Sequence, residues 1–307
     1  MKVYGEQSMS KAMIKQDRVF NTIATVTTIL SCCLIIYPLY FIIIASFSNP
    51  ERVMNGEVFL FPKEITFSGY QRIINYKPLL LGYRNSIFYT VIGGLFSTIV
   101  TLLAAYPLSR KDFRWRRPLT IFFLIAMFFQ GGLIPQYILV NKLHLRNTYF
   151  VLLLVSGVQV MNLLMATSYF RSTYIPSLYE AAELDGCSHF GYFFKVLLPV
   201  STPVIIVLFL FYGVYQWNDY FRAMIYLDQE KYYPIQLILK DLLASNQVTG
   251  ALVEMLSEDQ EAFAEMLRAA ESMKYGIIVI ATLPMMLIYV FLQKYFIKGI
   301  TLGSVKE

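Results

Sequence analysis

Charge is what this sequence has least of. Only 15% of its 307 residues are Asp, Glu, Lys or Arg, where a soluble domain carries about a quarter. Cysteine is almost missing. Of the three, Cys32 and Cys33 are neighbours inside an apolar run, which excludes a disulfide framework. The two histidines, His144 and His189, stand far apart and no C-x-x-C pair occurs, so no metal-ligand set can be drawn. No G-x-x-x-x-G-K-[ST] phosphate loop occurs either, so the chain does not bind ATP in that manner. No Ser–His–Asp order points to a hydrolase. The expectation is a protein with no catalytic residue, no metal and no bound cofactor of its own.

What the chain does have is apolar surface. Hydrophobic residues make up 57% of it and mean hydropathy is +0.53. Net charge is +6, but the basic residues flank apolar runs instead of forming one patch. That pattern argues for membrane lipid and against nucleic acid as a partner. A spanning helix needs about 20 mostly apolar residues. Six stretches qualify: Phe20–Phe47, Asn85–Leu108, Leu119–Val140, Thr148–Phe170, Leu197–Phe221 and Tyr275–Ile297. The first has basic residues before it, as a signal peptide does, but it is too long and lacks a small-residue cleavage site. The expected fold is an all-α integral membrane protein with six transmembrane helices spanning 19–298.

Lys and Arg set the orientation. Lys2, Lys11, Lys15 and Arg18 lie in the N-terminal arm, residues 1–18. Arg110, Lys111, Arg114, Arg116 and Arg117 lie between the second and third spans, and Lys294, Lys298 and Lys306 close the chain. With six spans all these fall on one side, so both termini are expected in the cytoplasm of a multi-pass plasma-membrane protein. The loop 172–196 then also faces the cytoplasm, and the long loops 48–84 and 222–274 face outward. Residues Val253, Leu256, Phe263, Met266 and Leu267 give the second outer loop the spacing of an amphipathic helix. Its apolar face suits either the bundle and membrane surface or an extracellular partner. Pro38, Pro107, Pro135, Pro203 and Pro284 lie in or beside spans, and Gly131-Gly132 with Pro135 predicts a break near the outer end of the third.

Within the loop 172–196, Ser177-Leu-Tyr-Glu180 reads as a capping box after Pro176, and Gly186 suits the left-handed residue that ends a helix. A two-turn helix with fixed ends is expected, followed by a second helix capped by Ser188. Ala181 and Ala182 keep one face thin for close approach, while Leu178, Tyr179 and Leu184 supply apolar contacts. His189 is read as a surface or docking residue. The fifth span closes on Tyr212, Tyr215, Gln216, Trp217, Asn218 and Asp219. Aromatic faces beside amides and a carboxylate suit a sugar, whose apolar face stacks and whose hydroxyls pair. An interfacial aromatic belt accounts for the rings as well, though not for the amides and the acid. Gln130, Gln136, Gln159 and Asn162 face either a pathway or neighbouring helices.

Residues Glu180 to Pro199 read EAAELDGCSHFGYFFKVLLP. The spacing of Glu180-Ala181-Ala182, Gly186, Val196 and Leu198-Pro199 resembles the EAA loop of ABC-importer permeases, with Val196 where Ile is commoner. The resemblance extends over nearly the whole chain, to the second permease subunit of maltose-permease-like carbohydrate importers and their type I fold. Phe129-Gln-Gly-Gly-Leu-Ile-Pro135-Gln-Tyr, Asn147-Thr-Tyr-Phe and Ser272-Met-Lys-Tyr look closest to a branch serving complex, uronate-containing oligosaccharides. The resemblance implies that Glu180, Ala181, Ala182, Asp185, Gly186, Leu198 and Pro199 couple the chain to an ATPase. It also implies the partners: a different permease forming a heterodimer, two ATP-binding-cassette subunits that bind ATP and Mg, and an extracellular sugar-binding lipoprotein. The tail 299–307 resembles one that inserts between the ATPase subunits, although Glu307 stands where a glycine commonly ends the chain. The residues leave room for other cargo, such as amino acids, peptides or phosphate. A secondary carrier would need buried charges and inverted repeats that the sequence lacks. A membrane assembly or signalling component without transport is the remaining class.

Overall fold

A computed structural model describes residues 3–129, 131–155, 157–173, 176–244 and 273–290, with the backbone alone for 3–18 and 176–178. Among these residues every regular element is a helix. In chain order they are α1 (Val3–Ser46), α2 (Pro50–Met54), α3 (Ser68–Asn75), α4 (Lys77–Phe88), α5 (Gly94–Ser109), α6 (Arg116–Phe128) and α7 (Leu133–Lys142). There follow α8 (Tyr149–Leu154), α9 (Val160–Thr173), α10 (Pro176–Leu184), α11 (His189–Tyr192), α12 (Leu198–Val200), α13 (Thr202–Trp217), α14 (Phe221–Tyr226) and α15 (Met273–Val290). π-helical turns at Tyr89–Gly93 and Phe193–Leu197 join α4 to α5 and α11 to α12.

Among the described residues three helices are long and apolar enough to cross a bilayer: Val19–Ser46, Lys77–Ser109 and Met273–Val290. Three of the expected spans are broken, the third where Gly131-Gly132 and Pro135 predicted it, the fourth and fifth where continuous helices were expected. The third divides into α6 and α7 at a 113° bend, where Gly132 takes φ 83°, a backbone open to glycine. The fifth bends by 82° between α12 and α13, where Ser201 lies between Pro199 and Pro203. The fourth is split into α8 and α9. Five spans are reached if each bent pair counts as one. Pro38 and Pro107 lie inside α1 and α5 without ending them. The amphipathic pattern at 253–267, the last residues of the sixth expected span and the tail 299–307 lie outside the described residues, as does Gln130.

The chain forms two compact units, one of Met1–Ile73 with Val253–Val279, the other of Ile74–Leu252 with Ile280–Glu307. In the first, Ile44, Ala45, Val53 and Val58 form a small core against Phe41 and Tyr275. Above it Arg52 pairs with Glu57 at 3.1 Å and Glu64 at 2.7 Å, and Lys63 with Glu57 at 3.5 Å.

The second unit is built around α5, which packs against α9 and α13. Besides Leu102 and Leu108, its buried face is small or polar: Gly94, Ser97, Thr98, Thr101 and Ala105, with Gly93 of the π-helical turn just before it. Lipid supplies no hydrophobic drive between helices, so close backbone approach and buried hydrogen bonds do the packing. A Cβ on Gly93 would stand 2.8 Å from Gln216 Nε2 and one on Gly94 3.1 Å from Phe209 Cε2. Thr101 Oγ1 and the Tyr212 hydroxyl share a 2.6 Å hydrogen bond, and that hydroxyl also accepts from the Gln159 amide at 3.1 Å. Leu102, Ala105 and Leu108 of α5 meet Leu163, Ala166 and Phe170 of α9 and Val204 and Leu208 of α13 in the largest core. At the other end of the unit, Asn85 donates to the carbonyls of Lys231 and Tyr233, and Ser86 accepts from the Ile235 amide, stapling 231–235 to α4.

Candidate functional site

The sequence puts its clearest functional signal on α10, whose local structure follows from its ends. Proline starts it, and Gly186 at φ 74° stops it. The Cys187 amide donates back to Ala182 O at 2.9 Å and the Gly186 amide to Glu183 O at 3.0 Å. These are the two bonds of a Schellman motif, which satisfies the last carbonyls of the helix. Ser188 caps α11 as expected, accepting from the Gly191 amide at 3.1 Å. The Ser177 side chain, and with it the capping box, lies outside the described residues, as does Leu178.

One face of α10 is bare. Glu180, Ala181, Asp185 and Gly186 are exposed, and Leu184 is 89% exposed. Nearby Phe190 is 71% exposed. The other face is partly covered by the protein itself. Tyr179 and Ala182 pack on the core of α5, α9 and α13, so Tyr179 turns inward and is not free for outside contact. Leu198 joins the same core, and Pro199 lies exposed beside the bend, its carbonyl accepting from Thr202 Oγ1 at 2.8 Å.

Tyr179 is held by a residue that the sequence offered only as a positive charge. Arg110, just past the end of α5, places its guanidinium 4.2 Å from the Tyr179 ring centroid. It grips Asp112 through two bonds of 2.9 and 2.8 Å and donates to the Tyr106 hydroxyl at 3.0 Å. Arg110 Nη1 also lies 3.1 Å from His189 Nδ1, and the Tyr179 hydroxyl is 3.1 Å from the same nitrogen. A guanidinium only donates, so Nδ1 is the acceptor in the contact with Arg110. The His189 and Tyr179 rings lie nearly parallel, 8° apart. The Arg110 side chain is 11% exposed. Its hydrogen bonds hold the Asp112 carboxyl below the usual carboxylate range. Two cavities meet at this arginine. One of about 350 Å³ is mainly apolar, with Leu103, Phe113, Phe190 and Phe193 in its wall. The other, about 720 Å³, is polar and takes in Lys111, Arg116, Arg171, Glu180 and Glu183. The arrangement does no covalent chemistry. It fastens an otherwise exposed two-turn helix to the end of a membrane-length helix.

No protein-family profile matches the chain. It is 35% identical over 297 residues to the polygalacturonan/rhamnogalacturonan transport system permease protein YtcP of Bacillus subtilis (strain 168), covering 95% of this chain and 99% of that one. This chain belongs to the carbohydrate ABC transporter permeases. The arabinooligosaccharides transport system permease protein AraQ of Halalkalibacterium halodurans is 26% identical, with 88% of this chain and 91% of the relative covered. A bacterial ABC transporter structure, involved in the import of the acidic polysaccharide alginate, matches with TM-score 0.82 and 31% identity. The match covers 92% of this chain and 98% of the other. The permease is therefore a membrane subunit of an ABC importer, helical throughout its described regular elements, and its relatives are transport permease subunits.

The six residues read from the fifth span separate in the permease structure. Tyr212, Gln216 and Trp217 are buried. Besides the Tyr212 bridge, Gln216 Nε2 donates to Leu152 O at 3.1 Å and Trp217 Nε1 to Ala281 O at 2.9 Å. All three tie helices together. Asn218 donates to Val214 O at 2.9 Å and closes the end of α13. Asp219 lies 2.6 Å from Arg222 Nε and accepts from the Arg222 amide. Arg222 in turn donates to Gln216 Oε1 at 3.2 Å and sits 4.7 Å from the Tyr215 ring. Tyr215 is the ring of the set with an exposed face. Among the described residues no group of three His, Cys, Asp or Glu could hold a metal ion.

Proposed function

We propose that the permease is one of two different membrane subunits of a bacterial importer that moves uronate-containing oligosaccharides inward by alternating access. Six spans put both termini and the loop 172–196 in the cytoplasm. The pairs α6–α7, α8–α9 and α12–α13 each serve as one broken span. Two ATPase subunits bind ATP and Mg and receive Glu180–Gly186. An extracellular lipoprotein delivers the sugar, and Tyr215, Asn218 and Asp219 at the end of α13 are the candidate contacts on this side of the pathway. Closure of the ATPase dimer moves α10, and the bundle opens outward.

The observation that carries this reading is the two-sided build of α10. Its bare face of Glu180, Ala181 and Leu184 suits a partner at close range. Its opposite face is locked to α5 through Tyr179 and Arg110. Force on one side therefore reaches the bundle on the other. The names of the relatives support the cargo, since alginate is an acidic polysaccharide and YtcP is a polygalacturonan/rhamnogalacturonan permease.

The test is ATPase activity of the assembled importer in nanodiscs with its binding protein. Stimulation by oligouronates but not by neutral oligosaccharides supports the full reading. Stimulation by peptides or amino acids retains the importer and discards the sugar. Glu180→Lys is expected to abolish uptake; normal uptake in that variant would overturn the docking role of α10.

A further inference from the structure

The segment Val58-Phe59-Leu60-Phe61-Pro62 carries no charge and follows Glu57 directly. Val58 is buried in the small core with Ile44, Ala45 and Val53. The next three side chains point away from it: Phe59, Leu60 and Phe61 are 65%, 53% and 75% exposed. Three large apolar groups in a row are out of place on a loop in water.

The backbone of this segment does not stand clear of α1 but lies back along it. The Tyr37 hydroxyl donates to Phe59 O at 3.3 Å and the Tyr40 hydroxyl to Leu60 O at 2.5 Å. The Tyr37 and Phe59 rings lie 5.6 Å apart. Further on the chain climbs to the end of α1: Lys63 O accepts from the Asn49 amide at 3.0 Å, and the Thr66 amide donates to Phe47 O at 2.9 Å. The segment is thus a hook that runs back along α1 and returns.

The length of α1 fixes how deep the hook reaches. Its apolar part, Val19–Ser46, has 28 residues, about 42 Å at 1.5 Å per residue. A hydrocarbon core of about 30 Å takes about 20 of them. Slide such a window from one end of Val19–Ser46 to the other. Tyr37 is inside at every position, and Tyr40 is never more than two residues, about 3 Å, beyond it. Phe59 and Leu60, bonded to these tyrosines, therefore lie below the hydrocarbon boundary or within about 3 Å of it. At that depth an unpaired carbonyl is costly, and the two tyrosine hydroxyls remove the cost. Pro62 has no amide hydrogen to satisfy. The charged collar of Arg52, Glu57, Lys63 and Glu64 closes the top of the hook.

We propose that residues 58–62 are a membrane-inserted hook that places Phe59, Leu60 and Phe61 among the phospholipids of the leaflet at the C-terminal end of α1. Lipid is the occupant that fits. The hook presents apolar groups with the Phe59 and Leu60 carbonyls already bonded. Its exposed surface continues that of α1, where Ile36, Leu39 and Ile43 are also exposed. The hook anchors the outer-loop core of Ile44, Val53 and Val58 to the bilayer.

The test is Phe61→Trp in the whole importer, in nanodiscs made with phosphatidylcholine brominated high on its acyl chains, with the wild-type complex as background. Loss of about half of the added emission, and its blue shift, is expected for a ring at the interface. Added emission that is blue-shifted but insensitive to bromolipid would mean a protein subunit covers the hook and would overturn the proposal. Added emission quenched by aqueous iodide would mean a water-facing loop and would overturn it too. Phe59→Trp repeats the measurement should Phe61→Trp fail to assemble. None of these outcomes depends on which solute the importer carries.

Discussion

Removing Arg110 tests whether α10 is mechanically joined to the bundle or merely tethered by its chain. Arg110→Ala deletes the grip on Asp112, the bonds to Tyr106 and His189, and the cation over the Tyr179 ring. The parts are unequal. Asp112 is 62% exposed, so its bond is screened and worth about 0.5 kcal/mol. The desolvated cation–π contact is worth about 1–2 kcal/mol. Charge-assisted bonds to Tyr106 and His189 contribute about 1.5 kcal/mol or more. Such neighbours are not additive, and about 3 kcal/mol is a fair total, close to a hundredfold in the docking equilibrium of α10. The assay is the ratio of binding-protein-stimulated to basal ATPase activity in nanodiscs, with subunit co-purification as the control for assembly. Arg110→Ala should drive the ratio toward one while basal hydrolysis persists. Arg110→Lys keeps the charge but cannot reach all four partners from a single ammonium, so an intermediate ratio is expected. Tyr179→Phe keeps the ring and loses one bond, so its effect should be smaller than that of Arg110→Ala. An unchanged ratio in Arg110→Ala, in a complex where Glu180→Lys is inactive, would refute the clamp and leave the docking face intact.

Three further outcomes follow from the geometry. Gly186→Ala has open space for its Cβ, so its cost is the left-handed backbone alone, about 1–2 kcal/mol, read as fraying of the α10 terminus by amide hydrogen exchange. Gly93→Ala drives a Cβ to 2.8 Å from Gln216 and 3.1 Å from Leu153 and should cost about 1–3 kcal/mol by overpacking, seen as a lower thermal midpoint in nanodiscs. Asp112 gives a pH dependence with a defined sign. Arg110 lowers its folded pKa below the unfolded value, so the stabilisation is full at neutral pH and fades as pH falls below about 4. Thermal unfolding of wild type and Asp112→Asn should differ at pH 7 and converge in acid; a constant gap would show that the carboxylate is not part of the clamp.

Much of the membrane character was legible in the residues, because crossing a bilayer demands length and apolarity that composition displays directly. The first and second spans and the beginning of the last match helices. The fourth and fifth were drawn as continuous because hydropathy does not register a bend, whereas Gly131-Gly132 with Pro135 marked the break in the third. Gly132 and the pair Pro199 and Pro203 carried the signal, yet only the backbone angles at those points say that α6 turns sharply into α7 and α12 into α13. The aromatic and amide cluster at the end of the fifth span divides for a related reason. Residue type showed hydrogen-bonding capacity, but Tyr212, Gln216 and Trp217 direct it inward to Gln159, Leu152 and Ala281.

The sequence by itself determined that the chain is a membrane protein without a phosphate loop, and that residues 180–186 end a short helix at Gly186. Those properties are local: they depend on transfer of apolar side chains from water and on the freedom of one glycine at positive φ. Which face of that helix is free, and what holds the other, required the tertiary structure. Arg110 and Tyr179 are separated in sequence by the broken helix pairs α6–α7 and α8–α9, and they meet because α5, α9 and α13 pack through small and hydroxylated side chains at close backbone range. The hook at 58–62 has the same origin. Its composition is visible in the sequence, but its depth comes from two tyrosine hydroxyls some twenty residues earlier, a pairing that no local rule specifies.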